Sequence, residues 1–249
     1  MCYTNPMSGH SHWANIKGKK EANDAARGKE FSKISREIIL AIQMGGGDTD
    51  PNANLRLRMA IDKAREVNMP KENVNRLIDR IKERTESMTE VVYEAVGPAG
   101  VYVVIKTVTD NPNRTHGELS QIMNRNGGKL VEKGAVLYMF DLLGTMKLEG
   151  KTEEEALQIA ETIGGLDIEK HDGVYYVVLA YELLSEALQK AQSAGISKAP
   201  ELIYKPKSTV EIDAGAREKV ITLLEKLEEQ DDVQELFTNV EFSREEHNA

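Results

Sequence analysis

This sequence has very little cysteine and no long apolar segment. The single cysteine, Cys2, cannot form an internal disulfide framework or a multi-cysteine zinc site, which excludes the small disulfide-stapled proteins. The longest apolar run, Val174 to Tyr181, is far shorter than the roughly 20 residues that a membrane-spanning helix needs. No N-terminal stretch has the basic end and apolar core of a secretion signal. We therefore expect a cytoplasmic protein with no membrane partner.

The charge is divided unevenly along the chain. The net charge is -9, yet residues 1–88 hold 16 Lys and Arg against 12 Asp and Glu, whereas residues 89–249 hold 16 against 29. An acidic surface repels phosphate because both carry negative charge. The basic N-terminal part is therefore the part suited to bind a polyanion. The alternative is that these cations line an ordinary solvated helical face, since Lys and Arg are mostly exposed in any protein.

The front of the chain has the periodicity of helices. Gly45-Gly46-Gly47-Asp48 is typical of a helix stop, and Pro70 is placed to begin the next helix, where its missing N–H costs nothing. We predict an all-helical N-terminal domain of three to four helices over residues 1–88. Its apolar positions recur three or four residues apart: Ile34, Ile38, Ile42; Leu57, Ile61, Ala64; Val74, Leu77, Ile78, Ile81.

After Glu90 the pattern changes to alternating strands and helices, which makes the whole chain α+β. A hairpin is predicted over Val91–Val96 and Val101–Thr109, joined by a Gly-Pro-Ala-Gly turn. Residues 143–205 then carry a complete βαββαβ set, the ferredoxin-like arrangement. If that set is an insertion, 101–140 (β, α, β) and 209–242 (β, α, β) form a second βαββαβ unit around it. The predicted domains are therefore 1–88, 89–142 with 206–249, and 143–205; the alternative is one larger α/β sheet.

Two segments, one near the N-terminus and one in the middle of the chain, contain residue types that are typical of binding sites. Trp13 lies among His and Lys residues, as stacking rings do in proteins that bind RNA or single strands. The alternative is that it anchors the N-terminal segment on the helices, and both roles are compatible if the segment orders on binding. The loop from Thr109 to Thr115 joins a strand to a helix, and its Asn and Asp residues are typical helix caps. Asn113, Arg114 and Thr115 there are candidates for holding a phosphate, because a helix N-terminus attracts anions.

Catalytic and metal-binding patterns are missing. His116 and His171 have no marked partner, and His10 and His12 have no carboxylate or cysteine nearby to complete a metal shell. We therefore expect no enzyme, no cofactor and no metal.

Several separated motifs resemble the YebC/PmpR family along nearly the whole chain. They are the runs Gly9-His10-Ser11-His12-Trp13-Ala14-Asn15-Ile16-Lys17, Gly28-Lys29 to Ile38, Gly45-Gly46-Gly47-Asp48, Leu57 to Ala64, Asn68-Met69-Pro70-Lys71, Tyr138-Met139-Phe140 and Asp231-Asp232-Val233-Gln234. The resemblance implies a helical bundle and two ferredoxin-like domains, one inserted in the other. It also implies a DNA-binding transcriptional regulator, or, as in the mitochondrial relatives, a translational activator associated with the ribosome.

The resemblance and the charge split together predict a regulator of gene expression whose partner is nucleic acid, either DNA or ribosomal RNA. No helix-turn-helix signature is evident, which favours shape reading of structured RNA and makes the ribosome a candidate partner. The alternative is a protein-interaction module. In that case the acidic domains bind a basic protein, and the N-terminal helices have only a structural role. The residues predicted to contact nucleic acid are Trp13, Lys17, Lys19, Lys20, Arg27, Lys29, Lys33, Arg36, Arg56, Arg58 and Lys63.

Overall fold

The computed structural model describes residues 24–83, 87–171, 173–196 and 198–241. Within them the chain forms two compact units. One combines the helices that precede Met88 with residues 142–203, and the other comprises residues 89–141 and 204–241. The three-domain boundaries proposed from the sequence stay a prediction.

The elements alternate as the sequence pattern indicates. The helices are α1 (Asp24–Met44), α2 (Leu55–Glu66), α3 (Lys71–Glu83), α4 (Pro112–Arg125), α5 (Glu153–Ile163), α6 (Leu184–Ser193) and α7 (Ala214–Glu228). The strands are β1 (Thr89–Val96), β2 (Tyr102–Thr109), β3 (Lys129–Val131), β4 (Phe140–Leu148), β5 (Asp167–His171), β6 (Val174–Ala180), β7 (Glu201–Pro206), β8 (Val210–Glu211), β9 (Val233–Thr238) and β10 (Val240–Glu241). Short 3-10 turns cover Pro98–Gly100, Leu137–Met139 and Tyr181–Leu183. Within the described ranges, no helix has the length and apolar character needed to cross a membrane.

The helices α1, α2 and α3 share one apolar core in the first unit. Ile38 and Leu57 are fully buried there, together with Ala64, and Val74 of α3 packs in the same cluster. These residues recur at helical spacing, so each helix presents one apolar stripe to the other two. The predicted helical front is confirmed for the three helices that the described residues contain.

A buried asparagine fixes the turn between α1 and α2. Asn54 caps α2 by accepting a hydrogen bond from the Leu57 N–H at 3.0 Å. Its amide nitrogen donates to the Ala41 carbonyl at 2.9 Å and to the Asp48 carbonyl at 3.2 Å. Gly45 allows this approach, because a Cβ there would lie 2.3 Å from the Asn54 amide nitrogen.

Replacing Asn54 with alanine should destabilise the helical core. The change removes the N-cap and leaves two carbonyls without their amide donor, for an expected loss of about 2–3 kcal/mol. Urea unfolding of the full chain followed by circular dichroism measures this loss. Asn52→Ala is the control, because Asn52 is exposed and its side chain contacts only the neighbouring Asp50. Equal stability of the two variants would contradict the capping role.

The inserted segment of the first unit forms a four-stranded sheet in the order β5-β6-β4-β7. Counted from the first strand of this segment, the order is 2-3-1-4, the ferredoxin-like order, and β6 pairs antiparallel with both β4 and β5. Helices α5 and α6 cover one face through Ala156, Ile163 and Ala187, all fully or nearly fully buried. The predicted ferredoxin-like arrangement of this segment is confirmed.

The helical segment contacts the inserted segment within this unit. Leu55 at the start of α2 packs against the apolar core of the inserted segment. The Asp62 carboxylate accepts a hydrogen bond from the Ala199 N–H at 3.0 Å, and Glu66 forms an ion pair with Lys198. One side of α2 is therefore covered by the inserted segment.

The second unit has the sheet order β3-β1-β2-β9, with antiparallel pairing throughout. The predicted hairpin is confirmed as β1 and β2, with Val96 opposite Tyr102. Helices α4 and α7 pack on one face, where Leu119 and Leu227 are fully buried. Counted along the chain, the order is 3-1-2-4, so this sheet has the same layers as the inserted segment but a different strand order.

The strand that fills the third position of this sheet differs from the prediction. The position between β2 and β3 is taken by β1, whereas the predicted strand 209–213 supplies only β8, which pairs with β10 in a separate two-stranded sheet. The predicted strand 135–140 is a turn and a 3-10 helix, and β3 lies earlier, at Lys129–Val131. A tight turn keeps β1 beside β2, and closing so short a loop costs little entropy, so the local hairpin takes the central position.

Candidate nucleic-acid interface

Three of the predicted cations share one face of α1. Lys29, Lys33 and Arg36 are spaced four and three residues apart, which aligns their side chains along the helix. Ile34 and Ile38 lie on the buried face of the same helix. Arg27, two residues before Lys29, is exposed and adds to the charge near the start of α1. We call Lys29, Lys33 and Arg36 the basic face of α1.

The predicted cations of α2 are held by neighbours within the first unit. Lys63 pairs with Glu37 of α1 at 3.2 Å, with both side chains largely buried. Arg56 donates to the Met44 sulfur at 3.3 Å. With the Gln192 amide oriented so that its oxygen faces α2, the Arg58 guanidinium donates to that oxygen at 2.5 and 3.1 Å.

The structure therefore separates the predicted nucleic-acid residues into groups. Lys29, Lys33 and Arg36 share one face of α1, whereas Arg58 and Lys63 have partners on other elements. Trp13, Lys17, Lys19 and Lys20 lie outside the described residues. The assignment of all eleven side chains to nucleic-acid binding stays a prediction.

The loop predicted to hold phosphate surrounds a buried carboxylate in the second unit. Asp232, whose side chain is 2% exposed, accepts hydrogen bonds from Thr115 Oγ1 at 2.7 Å and Arg114 Nη2 at 2.9 Å. It also accepts from Thr109 Oγ1 at 3.2 Å and Gln230 Nε2 at 3.4 Å. We call these five residues the Asp232 cluster.

The two carboxylates beside Arg114 hold its guanidinium in one position. Hydrogen bonds from Arg114 to Asp232 and to the exposed Asp110, at 2.8 Å, raise the pKa of the guanidinium above its ordinary value. The pKa of Tyr93 is also raised, first by its burial and then by the charge of Asp232. An incoming phosphate would compete with both carboxylates for Arg114, and the Thr115 hydroxyl is buried and already bonded. Asn113 is exposed at the same helix start. Phosphate binding here stays a prediction.

In the sequence, Asp232 stands out only as part of a family motif, and no role is predicted for it. Its partners lie 117 and 118 residues away along the chain at Thr115 and Arg114, so no local spacing connects them. Within the described ranges, no group of three or more His, Cys, Asp or Glu side chains could hold a metal ion. The geometry thus defines an α+β protein with a helical segment, two four-stranded sheets each covered by helices, and a basic helix face.

Comparison with known families gives this architecture a name. The model described as "TACO1/YebC protein N-terminal domain" matches residues 11–84, and the model described as "TACO1/YebC second and third domain" matches residues 88–240. The chain belongs to the TACO1/YebC family, which confirms the resemblance found in the sequence.

Individual relatives match over nearly their full length. A probable transcriptional regulatory protein of Thermotoga maritima is 42% identical over 240 residues, covering 94% of each chain. A protein of the same description from Fervidobacterium nodosum is 43% identical, covering 94% of this chain and 93% of its own. The crystal structure of a conserved hypothetical protein, Aq1575, from Aquifex aeolicus superposes with a TM-score of 0.82 at 39% identity, covering 96% of this chain and all of that one.

Proposed function

We propose that this protein is a non-enzymatic regulator of gene expression that binds nucleic acid through the basic face of α1. The observation that carries the proposal is the alignment of Lys29, Lys33 and Arg36 on one helix of a chain whose net charge is -9. An acidic surface repels phosphate, so a polyanion is directed to a helix face where cations are concentrated. The regulatory role is supported by the names of the relatives.

Binding of this kind positions the protein on a sugar-phosphate backbone and carries no sequence information by itself. Specificity would then come from the shape of the nucleic acid or from other parts of the protein. Structured RNA and duplex DNA both present such a backbone, and both belong in the test.

Reversing the charge of the basic face should weaken nucleic-acid binding and make it less dependent on salt. The variant is Lys29→Glu, Lys33→Glu and Arg36→Glu in the full chain. Each lost phosphate contact should reduce the log-log salt slope by about 0.9 on duplex DNA or about 0.7 on single strands. Fluorescence anisotropy of a labelled DNA duplex and a labelled RNA hairpin, titrated at several salt concentrations, measures the affinity and the slope.

The matched control reverses three lysines of the inserted segment, Lys151→Glu, Lys170→Glu and Lys190→Glu, which changes the net charge by the same amount away from α1. We expect this control to bind nearly as well as the parent. A second triple variant, Lys17→Glu, Lys19→Glu and Lys20→Glu, should weaken binding in the same direction as the α1 variant. If the α1 variant bound both probes as tightly as the control, the proposed interface would be wrong.

Two further measurements separate the transcriptional from the translational role. Preference for a promoter over random duplex would support a transcriptional regulator. Sedimentation with ribosomal particles in a low-salt lysate gradient, lost at high salt and after nuclease treatment, would support a translational one. The favoured reading follows the names of the relatives, with DNA as the target.

A further inference from the structure

A buried carboxylate on β1 fixes the backbone of the loop that joins β3 to β4. Glu94 of β1 is 2% exposed, and its carboxylate oxygens accept hydrogen bonds from three backbone N–H groups of the loop. The donors are Gly134 at 2.5 Å, Val136 at 2.6 Å and Leu137 at 2.8 Å. Charge-assisted bonds of this kind are stronger than neutral ones, so the loop backbone has little freedom to rearrange.

Apolar anchors and a second chain segment fix the same loop from its other sides. Val136 is fully buried and Phe140 is 5% exposed. The Lys207 backbone N–H donates to the Met139 carbonyl at 2.8 Å, and its side-chain ammonium donates to the Tyr138 carbonyl at 3.0 Å. The backbone on either side of Tyr138 is therefore held in place.

The side chain at the centre of this rigid loop points into solvent. Tyr138 is 61% exposed, although the residues at positions 136 and 140 are buried. A single exposed apolar side chain is common on protein surfaces, but this ring stands on a backbone fixed by a buried charge. Fixing a ring in advance lowers the entropy that a ligand must overcome when it stacks on it.

Two lysines lie on or beside this loop, together with the acids Glu132 and Asp141. The ammonium of Lys207 lies at the Tyr138 carbonyl and is half exposed, with Asp141 at 3.4 Å. Lys133 of the same loop is exposed as well. An exposed aromatic ring beside lysines is the arrangement with which proteins hold single-stranded nucleic acid, because the ring takes a base and the cations take its phosphates.

We propose that Tyr138 is a stacking platform for an unpaired base, with Lys207 and Lys133 placed to meet the neighbouring phosphates. This rests on the proposed function in that the ligand is nucleic acid, and it adds a second site on the other unit of the chain. The bases of an intact duplex stack on each other, so the platform accepts a single strand, a loop or a frayed end. The basic face of α1 makes no such distinction.

The test compares probes that differ only in their bases. Binding of the full chain is measured by fluorescence anisotropy with a short single-stranded oligonucleotide, an abasic strand of the same length, and a duplex. Tyr138→Ala should bind the base-bearing strand roughly 5- to 100-fold more weakly than the parent does, while its affinity for the abasic strand and the duplex stays unchanged. Tyr138→Phe, which keeps the ring, should bind like the parent.

Tyr181→Ala is the matched control, because Tyr181 is also an exposed tyrosine, at 43%, but lies in the inserted segment. It should bind every probe as the parent does. Equal affinity of Tyr138→Ala and the parent for the base-bearing strand would overturn the platform while leaving the α1 interface intact. An equal loss in Tyr138→Phe would also overturn it, since the hydroxyl and not the ring would then be the contact. A parent that bound none of the probes would overturn the proposed function as well.

Discussion

Asp232→Ala should lower the stability of the second unit more than any exposed substitution in this protein. The carboxylate is buried and accepts hydrogen bonds from Thr109, Thr115, Arg114 and Gln230. Its removal takes the charged acceptor from two buried hydroxyls, of which Thr115 Oγ1 keeps only the neutral Asn111 carbonyl at 3.1 Å and Thr109 Oγ1 at 2.8 Å. It also leaves one side of the guanidinium without its counter-charge. Breaking a buried ion pair from one side costs about 3–5 kcal/mol, and the half-exposed position of Arg114 places the expected loss near the lower figure.

Thermal unfolding followed by circular dichroism measures this loss, and a fall in Tm on the order of 10–20 °C is expected for a unit of this size. Asp110→Ala is the matched control, because Asp110 pairs with the same nitrogen of Arg114 but is exposed to solvent. An exposed pair contributes at most about 1 kcal/mol, so the control should unfold close to the parent. Comparable destabilisation of both variants would contradict a special role for the buried carboxylate.

Glu94→Ala should release the loop between β3 and β4 and destabilise the sheet beneath it. Three backbone N–H groups would lose a charged acceptor, and leaving a buried donor without a partner costs about 1–3 kcal/mol for each group that water cannot reach. Water can enter near the exposed Gly134 but not near the buried Val136. We therefore expect a total loss of about 3 kcal/mol.

Hydrogen exchange gives a local measurement for this variant. The amides of Gly134, Val136 and Leu137 should exchange faster, while those of the inserted segment keep their protection. Glu132→Ala, an exposed acid of the same loop, is the control and should leave these amides unaffected. Unchanged exchange at Val136 in Glu94→Ala would show that the carboxylate does not hold the loop.

The parts of the fold that depend on neighbouring residues could be predicted from the sequence. The stop at Gly45, the hairpin of β1 and β2, and the βαββαβ order of the inserted segment all follow from local periodicity and turn chemistry. The neighbour of a strand in its sheet cannot be predicted from local periodicity. Alternation indicates that residues 209–213 are extended, but it cannot say that β1 already fills the position they were expected to take.

The candidate site shows the same division. Residue type and spacing identify the basic face of α1, because they depend on one helix alone. They could not show that Arg58 faces Gln192, or that Lys63 pairs with Glu37, since those contacts join separate elements. The roles of Glu94 and Asp232 could not be predicted for the same reason, because their hydrogen-bond donors Gly134 and Thr115 lie 40 and 117 residues away in sequence.

The position of β1 has a consequence for the newly made chain. Strands β1, β2 and β3 are complete by residue 131, whereas the last strand of their sheet, β9, begins at Val233. At about 5–20 residues per second, synthesis of the intervening hundred or so residues takes on the order of 5–20 s. Throughout that interval the outer edge of β2 has no strand beside it, and an open apolar edge is a template for pairing with another chain. The inserted segment supplies most of the intervening residues, so it lengthens the period during which the edge of β2 is open to pairing with another chain.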